Sequence, residues 1–160
     1  MNSSKLKIVL ISTPIGFVGS GRGGGVELTM RSLIQGLLAL GHEVILVAPE
    51  GSTLPKDCSE AKLISVKGID QPSWQHQERF SPIIIPQNGV LPRLLEKALE
   101  VGRSADAVLN FSYDWLPLWL TTRIEVDLFH LISMGGVSEV MKNVIEDLSE
   151  IKHSRLAFHT

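Results

Sequence analysis

The sequence predicts an α/β fold, with a Rossmann-like open parallel sheet and helices on both faces. Two patterns predict it. Short apolar runs alternate along the chain with segments whose apolar residues recur at helical spacing. A glycine-rich stretch that ends at Gly25 separates the first run from the first helical segment. In such sheets ligands bind beyond the carboxyl ends of the strands, so the residues that follow each strand are the candidate functional residues.

The strands are predicted from apolar runs that are too short for helices. The first of them, residues 8–11, is also rich in β-branched side chains, which is typical of a buried parallel strand. The predicted strands are residues 8–11, 44–47, 63–66, 107–111 and 128–132, with a sixth in the segment SRLAFHT at 154–160.

The helices are predicted where apolar residues recur three or four positions apart. The first runs from Val26 to a stop at Gly41, and the second has Pro92 near its first turn. A short helix in DWLPLWLTT and an amphipathic helix over 137–148 complete the set. Residues 67–90 form an irregular connection with several prolines and glycines, and a connection of this length is usually functional or mobile.

Composition indicates one domain over residues 1–160. The length and the 44% hydrophobic content suit a single core, and a net charge of −2 without a basic patch gives no reason to expect a nucleic-acid partner. No apolar run reaches the roughly 18 residues of a membrane span, and we expect no signal peptide before the first strand. Cys58 is the lone cysteine, which excludes an internal disulfide. We therefore expect a cytoplasmic protein.

The glycine-rich loop after the first strand is a candidate phosphate site. Its glycines would let backbone N–H groups approach a ligand beside the positive end of the first helix. The run GSGRGG, Gly19–Gly24, also matches a dinucleotide pattern, and Glu50 after the second strand could hold a ribose. Residues 14–18 separate this run from the strand, however, which is unusual for a dinucleotide turn. The lysine of a P-loop NTPase is absent.

Residues 23–51, GGGVELTMRSLIQGLLALGHEVILVAPEG, resemble the N-terminal domain of GT-B fold glycosyltransferases, specifically the retaining GT4-type group. The segments DAVLNFSYDW and DLFHLISMGG resemble two later strands of that domain and their loops. Within the group, the segments STPIGFVGSGRGGGVELT, NFSYDWLP and HLISMG are similar to those of pteridine glucosyltransferases. The shared residues are Gly24, Gly25, Glu27, Gly41, His42, Glu43 and Val44.

This resemblance implies one half of a GT-B fold, in which two Rossmann-like domains face each other across a cleft. The chain would be the acceptor side, and the C-terminal donor-binding domain would be absent from it or supplied by a separate chain. The chain alone would then be inactive. The donor, a nucleotide sugar of the glucose or mannose type such as UDP-glucose, is a substrate, and neither a cofactor nor a metal is expected. The acceptor would be a small molecule such as a pterin.

The resemblance and the strand ends together give a set of candidate binding residues. The glycine loop would contact the donor phosphates through Gly23, Gly24 and Gly25. The acceptor would be held by residues at the ends of the later strands, some of them where the family often has a histidine: Tyr113, Ser133, Met134 and His159.

Asp114 is the candidate catalytic residue. It follows the fourth strand and precedes an apolar helix, where a carboxylate could orient an acceptor hydroxyl or partly deprotonate it. The same position suits a helix N-cap, and one residue can do both. Trp115 and Trp119 are predicted to be core or interface residues, whereas Tyr113 could stack on a flat acceptor. His130, inside a buried strand, is predicted to be a core histidine with satisfied hydrogen bonds.

Two other classes of protein stay open at this point. One is a small module that binds a nucleotide or a pterin without catalysis, and the other is an NAD-dependent oxidoreductase domain. A nucleophilic hydrolase is not indicated, because Ser12, Ser20 and Ser133 lack a positioned base. No pair of histidines has convincing metal-ligand spacing.

Overall fold

The computed structural model describes residues 4–21, 24–134 and 138–159. Six parallel strands form one open sheet in the order β3-β2-β1-β4-β5-β6, so the predicted Rossmann-like α/β fold is confirmed. In chain order the elements are β1 (Lys7–Ile11), α1 (Gly24–Ala39), β2 (Glu43–Pro49), β3 (Lys62–Val66), α2 (Val90–Gly102), β4 (Ala107–Asn110), α3 (Trp115–Leu120), β5 (Leu128–Ile132), α4 (Glu139–Lys152) and β6 (Leu156–Phe158). Short 3-10 turns lie at Lys56–Cys58, Trp74–His76 and His153–Arg155.

The sheet is buried on both faces, which explains the continuous apolar runs of its central strands. In β1, the side chains of Val9 and Ile11 pack towards α2, whereas Leu10 packs towards α1 on the opposite face. Helices α3 and α4 lie on the same face as α2, where they cover β5 through Leu128 and Ile132. No helix among the described residues is long and apolar enough to cross a membrane.

The boundaries differ from the predicted ones where the apolar pattern gives no signal. Helix α1 begins at Gly24 rather than Val26, because glycine carries no side chain that could contribute to an apolar pattern. Its predicted stop is confirmed: Gly41 has φ +82, and its N–H donates to the Leu38 carbonyl at 2.9 Å. The sixth strand is shorter than predicted, because a 3-10 turn occupies His153–Arg155.

The connection between β3 and α2, residues 67–89, is closed at its base. The Ile69 N–H donates to the Asn88 carbonyl at 2.9 Å, and the Val90 N–H donates to the Ile69 carbonyl at 2.7 Å. A Cβ at Gly68 would lie 2.6 Å from the Val90 Cα, so only glycine fits where the two ends of the connection meet. Within the connection, Trp74 is 4% exposed and packs into the apolar cluster of α3 and α4. The connection therefore folds back over the carboxyl edge of the sheet.

Candidate functional site

A pocket of about 130 Å³ lies at the carboxyl edge of the sheet, between the ends of β1, β4 and β5. Its walls come from the loop after β1, the first turn of α1, the 67–89 connection and the loops after β4 and β5. The lining residues are Thr13, Pro14, Ile15, Val26, Ser73, Trp74, Gln75, Phe111, Tyr113, Ser133 and Met134.

A larger depression, of about 750 Å³, lies at the opposite edge of the sheet. It is formed by the C-terminal end of α2 and by the residues that precede β4 and β5, among them Arg103, Asp106 and Asp127. Ligands of open parallel sheets bind at the carboxyl edge, at the point where the order of the strands reverses. The smaller pocket, which we call the acceptor-edge pocket, is therefore the candidate functional site.

The acceptor-edge pocket is aromatic and uncharged. Three of the chain's nine Phe, Trp and Tyr side chains line it, namely Trp74, Phe111 and Tyr113. The hydroxyl-bearing residues Thr13 and Ser133 also line it, and none of the described residues in its walls carries a charge. Such a pocket suits a neutral planar group with a few polar atoms.

The structure brings three of the four candidate acceptor residues together. Tyr113, Ser133 and Met134 all line the acceptor-edge pocket. His159 does not: it follows β6 at the outer edge of the sheet, its N–H donates to the Ile132 carbonyl at 2.9 Å, and its side chain is exposed. The strand order explains this separation, because β6 lies beyond β5 and away from β1 and β4.

Asp114 is the N-cap of α3, as the alternative interpretation of its position predicted. Its Oδ1 accepts a hydrogen bond from the Trp115 N–H at 2.9 Å. The side chain is only 1% exposed and is not among the pocket-lining residues. Trp74 and Gln71 of the 67–89 connection lie against its carboxyl. The carboxyl therefore lies behind the pocket wall, and its predicted catalytic role stays a prediction.

Burial raises the pKa of Asp114 to about 6. The Trp74 side chain, the Trp115 N–H and the Gln71 side chain oppose this rise, in decreasing order. The indole nitrogen of Trp74 is buried and makes no hydrogen bond of standard geometry to the described residues. A carboxyl with this pKa changes its charge between mildly acidic and neutral pH.

His130 lies in a fully partnered core network, which confirms its prediction as a core histidine. Its Nε2 is 2.6 Å from the Thr121 Oγ1, and its Nδ1 is 3.1 Å from the Asn110 Nδ2. The Thr121 hydroxyl donates to the Pro117 carbonyl at 2.9 Å, so it accepts from His130, and the imidazole is the neutral Nε2–H tautomer. Burial lowers the pKa of His130 to about 3. This histidine is structural.

The loop after β1 packs over the carboxyl end of β2. The Val18 N–H donates to the Ser52 Oγ at 2.9 Å, and the Thr53 N–H donates to the Val18 carbonyl at 2.8 Å. The Gly19 N–H donates to the Glu27 carboxylate of α1 at 2.7 Å. Gly19 has φ +88, and a Cβ on it would lie 2.2 Å from the Thr53 Oγ1. The loop thus has a defined path that depends on glycine at this position.

The candidate phosphate-binding glycines lie at the start of α1. Gly23 is outside the described residues, whereas Gly24 and Gly25 form the first two positions of the helix. A Cβ on either would meet no atom within 4 Å, so the space beside them is open. Val26, the next residue, lines the acceptor-edge pocket. The positive end of α1 therefore lies directly beside the pocket.

Sequence reasoning missed the contribution of the 67–89 connection to the site. It marked the segment as functional or mobile but named neither Trp74 nor Gln71. The sequence carried one signal, which is a tryptophan in the polar stretch QPSWQHQ. A large aromatic ring among polar residues indicates a buried contact. Among the described residues, no group of three or more His, Cys, Asp or Glu side chains could hold a metal ion.

No protein-family model matches the chain, and no curated protein matches it with significant similarity. The functional hypothesis therefore depends on the residues and geometry described above.

Proposed function

We propose that this chain is the acceptor-binding domain of a retaining glycosyltransferase that uses a nucleotide sugar and a small planar acceptor. The observation that carries the proposal is the position of the acceptor-edge pocket. It is aromatic and uncharged, and it shares Val26 with the N-terminal turn of α1. A planar acceptor and a diphosphate could bind next to each other there.

The pocket supplies what a planar acceptor needs. Aromatic side chains bind flat rings by stacking, and Trp74, Phe111 and Tyr113 line the pocket. The side chains of Thr13 and Ser133 can form hydrogen bonds with polar ring atoms. The absence of charge among the described lining residues favours a neutral ring over a charged one. A pterin is one ring system of this kind.

The start of α1 supplies what a donor diphosphate needs. Unpaired N–H groups and the helix dipole make a helix N-terminus favourable for phosphate, and Gly24 and Gly25 leave the approach open. In the proposed reaction, an acceptor hydroxyl oxygen forms a bond to the anomeric carbon of the sugar. The bond from that carbon to the diphosphate oxygen breaks, and the hydroxyl proton passes to the departing diphosphate. Stabilisation of the leaving diphosphate by the helix N-terminus would lower the barrier.

An NAD-dependent oxidoreductase is disfavoured by the packing above β2. A dinucleotide places its ribose at the end of that strand. Here the loop residue Val18 is hydrogen-bonded to Ser52 and Thr53 directly after it. Glu50, the candidate ribose ligand, lies 3.8 Å from the ammonium group of Lys67. The loop therefore occupies the space that a dinucleotide ribose would use, whereas Glu50 and Lys67 form an exposed ion pair.

A binding panel on the 160-residue protein tests the proposal. Affinities for UDP-glucose, GDP-mannose, NAD and biopterin are measured by calorimetry, with ¹⁵N NMR to locate each ligand. We expect biopterin to shift the amides of Tyr113 and Met134, and a nucleotide sugar to shift those of Gly24 and Gly25. Preferred binding of NAD would contradict the proposal. Absence of any biopterin response at Tyr113 and Met134 would also contradict the assignment of the acceptor to this pocket.

A pair of variants tests the stacking. Tyr113→Leu removes an aromatic ring from the pocket, and we expect it to weaken biopterin binding about tenfold, because stacking on an aromatic side chain contributes roughly 1–3 kcal/mol. Phe158→Leu is the matched control, since Phe158 is exposed on β6 and lies outside the pocket. Equal affinity of the two variants would refute the assignment of Tyr113 to the acceptor.

A further inference from the structure

The hydrogen-bond network of the core histidine, His130, reaches the acceptor-edge pocket through Asn110. We propose that Asn110 is a positioning residue for this pocket, because its amide holds the backbone between the lining residues Phe111 and Tyr113. His130 and Thr121 fix which way that amide faces. All three network residues lie outside the pocket lining. This inference goes beyond the proposed function and holds for any ligand of the pocket.

The Asn110 side chain is hydrogen-bonded to both main-chain polar groups of Ser112. The Ser112 N–H donates to the Asn110 Oδ1 at 3.0 Å, and the Asn110 Nδ2 donates to the Ser112 carbonyl at 2.8 Å. Asn110 is the last residue of β4, and Ser112 is buried just beyond it. Buried main-chain groups that lie outside a sheet need other partners. The amide supplies a partner to both groups, and it thereby fixes the path of the chain where the strand ends.

The other side of the amide is joined to the core. Asn110 lies directly opposite His130 in the paired strands β4 and β5, and its Nδ2 is 3.1 Å from the His130 Nδ1. The His130 Nε2 is 2.6 Å from the Oγ1 of Thr121, which follows α3. All three side chains are buried. A continuous chain of buried hydrogen bonds therefore runs from α3 through β5 and β4 to the loop that lines the pocket.

One carbonyl fixes the direction of every hydrogen bond in this chain. The Pro117 carbonyl can only accept, so the Thr121 hydroxyl donates to it and accepts from the His130 Nε2. The His130 Nδ1 is then an acceptor, and the Asn110 amide must face it with its NH₂ group. Ser112 independently requires the same orientation, since its N–H needs the amide oxygen and its carbonyl needs the NH₂ group. The two ends of the chain therefore agree on one orientation of the amide.

An amide that faced the other way would break both hydrogen bonds to Ser112. Its oxygen would face the Ser112 carbonyl, and its NH₂ group would face the Ser112 N–H. Buried polar groups that lose their partners cost free energy, so the chain at Ser112 would have to move to regain them. The adjacent rings of Phe111 and Tyr113 would move with it. The orientation of one buried amide therefore determines where two aromatic rings of the pocket lie.

The variant Asn110→Asp has the same shape and tests the network without a ligand. A carboxylate still accepts from the Ser112 N–H, but it repels the Ser112 carbonyl and offers His130 no donor. We expect ¹⁵N NMR at neutral pH to show a proton on the His130 Nδ1 in this variant and none there in the parent. The amide signals of Ser112 and Tyr113 should shift as well. A parent with a proton on Nδ1, or a folded variant with parent-like amide signals, would overturn the proposal.

A pair of variants at Thr121 tests the far end of the chain, and it decides the matter if Asn110→Asp does not fold. Thr121→Val leaves the His130 Nε2–H without an acceptor, which favours the other tautomer, whose Nδ1–H would oppose the Asn110 NH₂ group. We expect it to shift the Ser112 and Tyr113 amides, whereas Thr121→Ser keeps the hydroxyl and should match the parent. Ser112→Ala is a control, because the Ser112 hydroxyl has no partner among the described residues. Parent-like amide signals in Thr121→Val would refute the role given to His130 and Thr121.

Biopterin affinity separates positioning from a general effect on stability. We expect folded Asn110→Asp to bind biopterin about tenfold more weakly than the parent, which corresponds to about 1.4 kcal/mol. Ile45→Val is the control: it trims a buried side chain of β2, so it should lower stability and keep the parent affinity. Equal affinity of Asn110→Asp and the parent would refute the positioning role. If the parent itself does not bind biopterin, the proposed function fails, whereas the NMR signals still decide this inference.

Discussion

Replacing Asp114 with asparagine should make the protein more stable at neutral pH and more sensitive to acid. Two buried groups produce this effect, because their pKa shifts change the stability in opposite directions as the pH rises. Asp114 has its pKa raised from 3.8 to about 6, and His130 has its pKa lowered from 6.5 to about 3. Asparagine removes the first group and keeps the helix cap.

The sign follows from the protons bound in each state. Between pH 4 and pH 6, the folded state holds a proton on Asp114 that the unfolded state has lost, so this residue makes stability fall as the pH rises. Over the same interval, the unfolded state holds a proton on His130 that the folded state lacks, so this residue makes stability rise. Each contributes about 1.4 kcal/mol per pH unit, and in the parent protein the two nearly cancel.

The magnitude follows from the pKa values. Moving the pKa of Asp114 from 3.8 to about 6 corresponds to about 3 kcal/mol of destabilisation at neutral pH, which asparagine removes. We therefore expect Asp114→Asn to exceed the parent in free energy of unfolding by about 3 kcal/mol at pH 7.5 and to match it near pH 4. In this variant Asp114 no longer opposes the titration of His130. The free energy of unfolding should therefore fall by about 1.4 kcal/mol for each pH unit below pH 6.

Urea unfolding followed by far-ultraviolet circular dichroism, at pH 4, 5, 6 and 7.5, measures these differences. All other titrating groups are common to both proteins, so the difference between the two free energies isolates Asp114. Asp70→Asn, which neutralises an exposed carboxylate of the same connection, is the control and should differ from the parent by less than about 0.5 kcal/mol at every pH. A difference between Asp114→Asn and the parent that stays constant with pH would refute the reasoning.

Two further predictions concern the glycines. Gly24→Ala should lower the free energy of unfolding by about 1 kcal/mol, because Gly24 has φ +54, whereas Gly25→Ala should be neutral or raise it by up to about 1 kcal/mol. If these positions contact the donor, calorimetry should show weaker UDP-glucose binding in at least one of the two variants, and parent-like affinity in both would exclude that contact. Gly19→Ala should release the loop after β1, because its Cβ would meet Thr53, and should speed proteolysis near Val18 well beyond the level of Gly16→Ala, which shares a positive φ but has open space. Equal proteolysis of the two would show that strain alone, rather than the contact, governs the loop.

The fold could be predicted because its elements leave local patterns. A strand buried on both faces, such as Val44–Val47, is a continuous apolar run, and its position is confirmed within β2. The order of the strands leaves no such pattern, because it depends on where each crossover returns. That is why His159, correctly expected near a strand end, lies apart from the pocket.

The candidate site could be predicted only where it depends on strand ends. Tyr113, Ser133 and Met134 follow β4 and β5, and the carboxyl ends of neighbouring parallel strands meet at one edge of a sheet. The contact of Asp114 with Trp74 joins residues 40 positions apart through a segment without periodicity. No local rule predicts the path of such a segment, so this half of the site became visible only in the structure.

The closed base of the 67–89 connection has a consequence for how the pocket could diversify. Because Ile69 is hydrogen-bonded to Asn88 and Val90, the two ends of the segment are joined to each other independently of what lies between them. Sequence changes between residues 70 and 87 that keep the buried Trp74 would then alter the shape and chemistry of one pocket wall, while the hydrogen bonds that join the ends of the connection stayed the same.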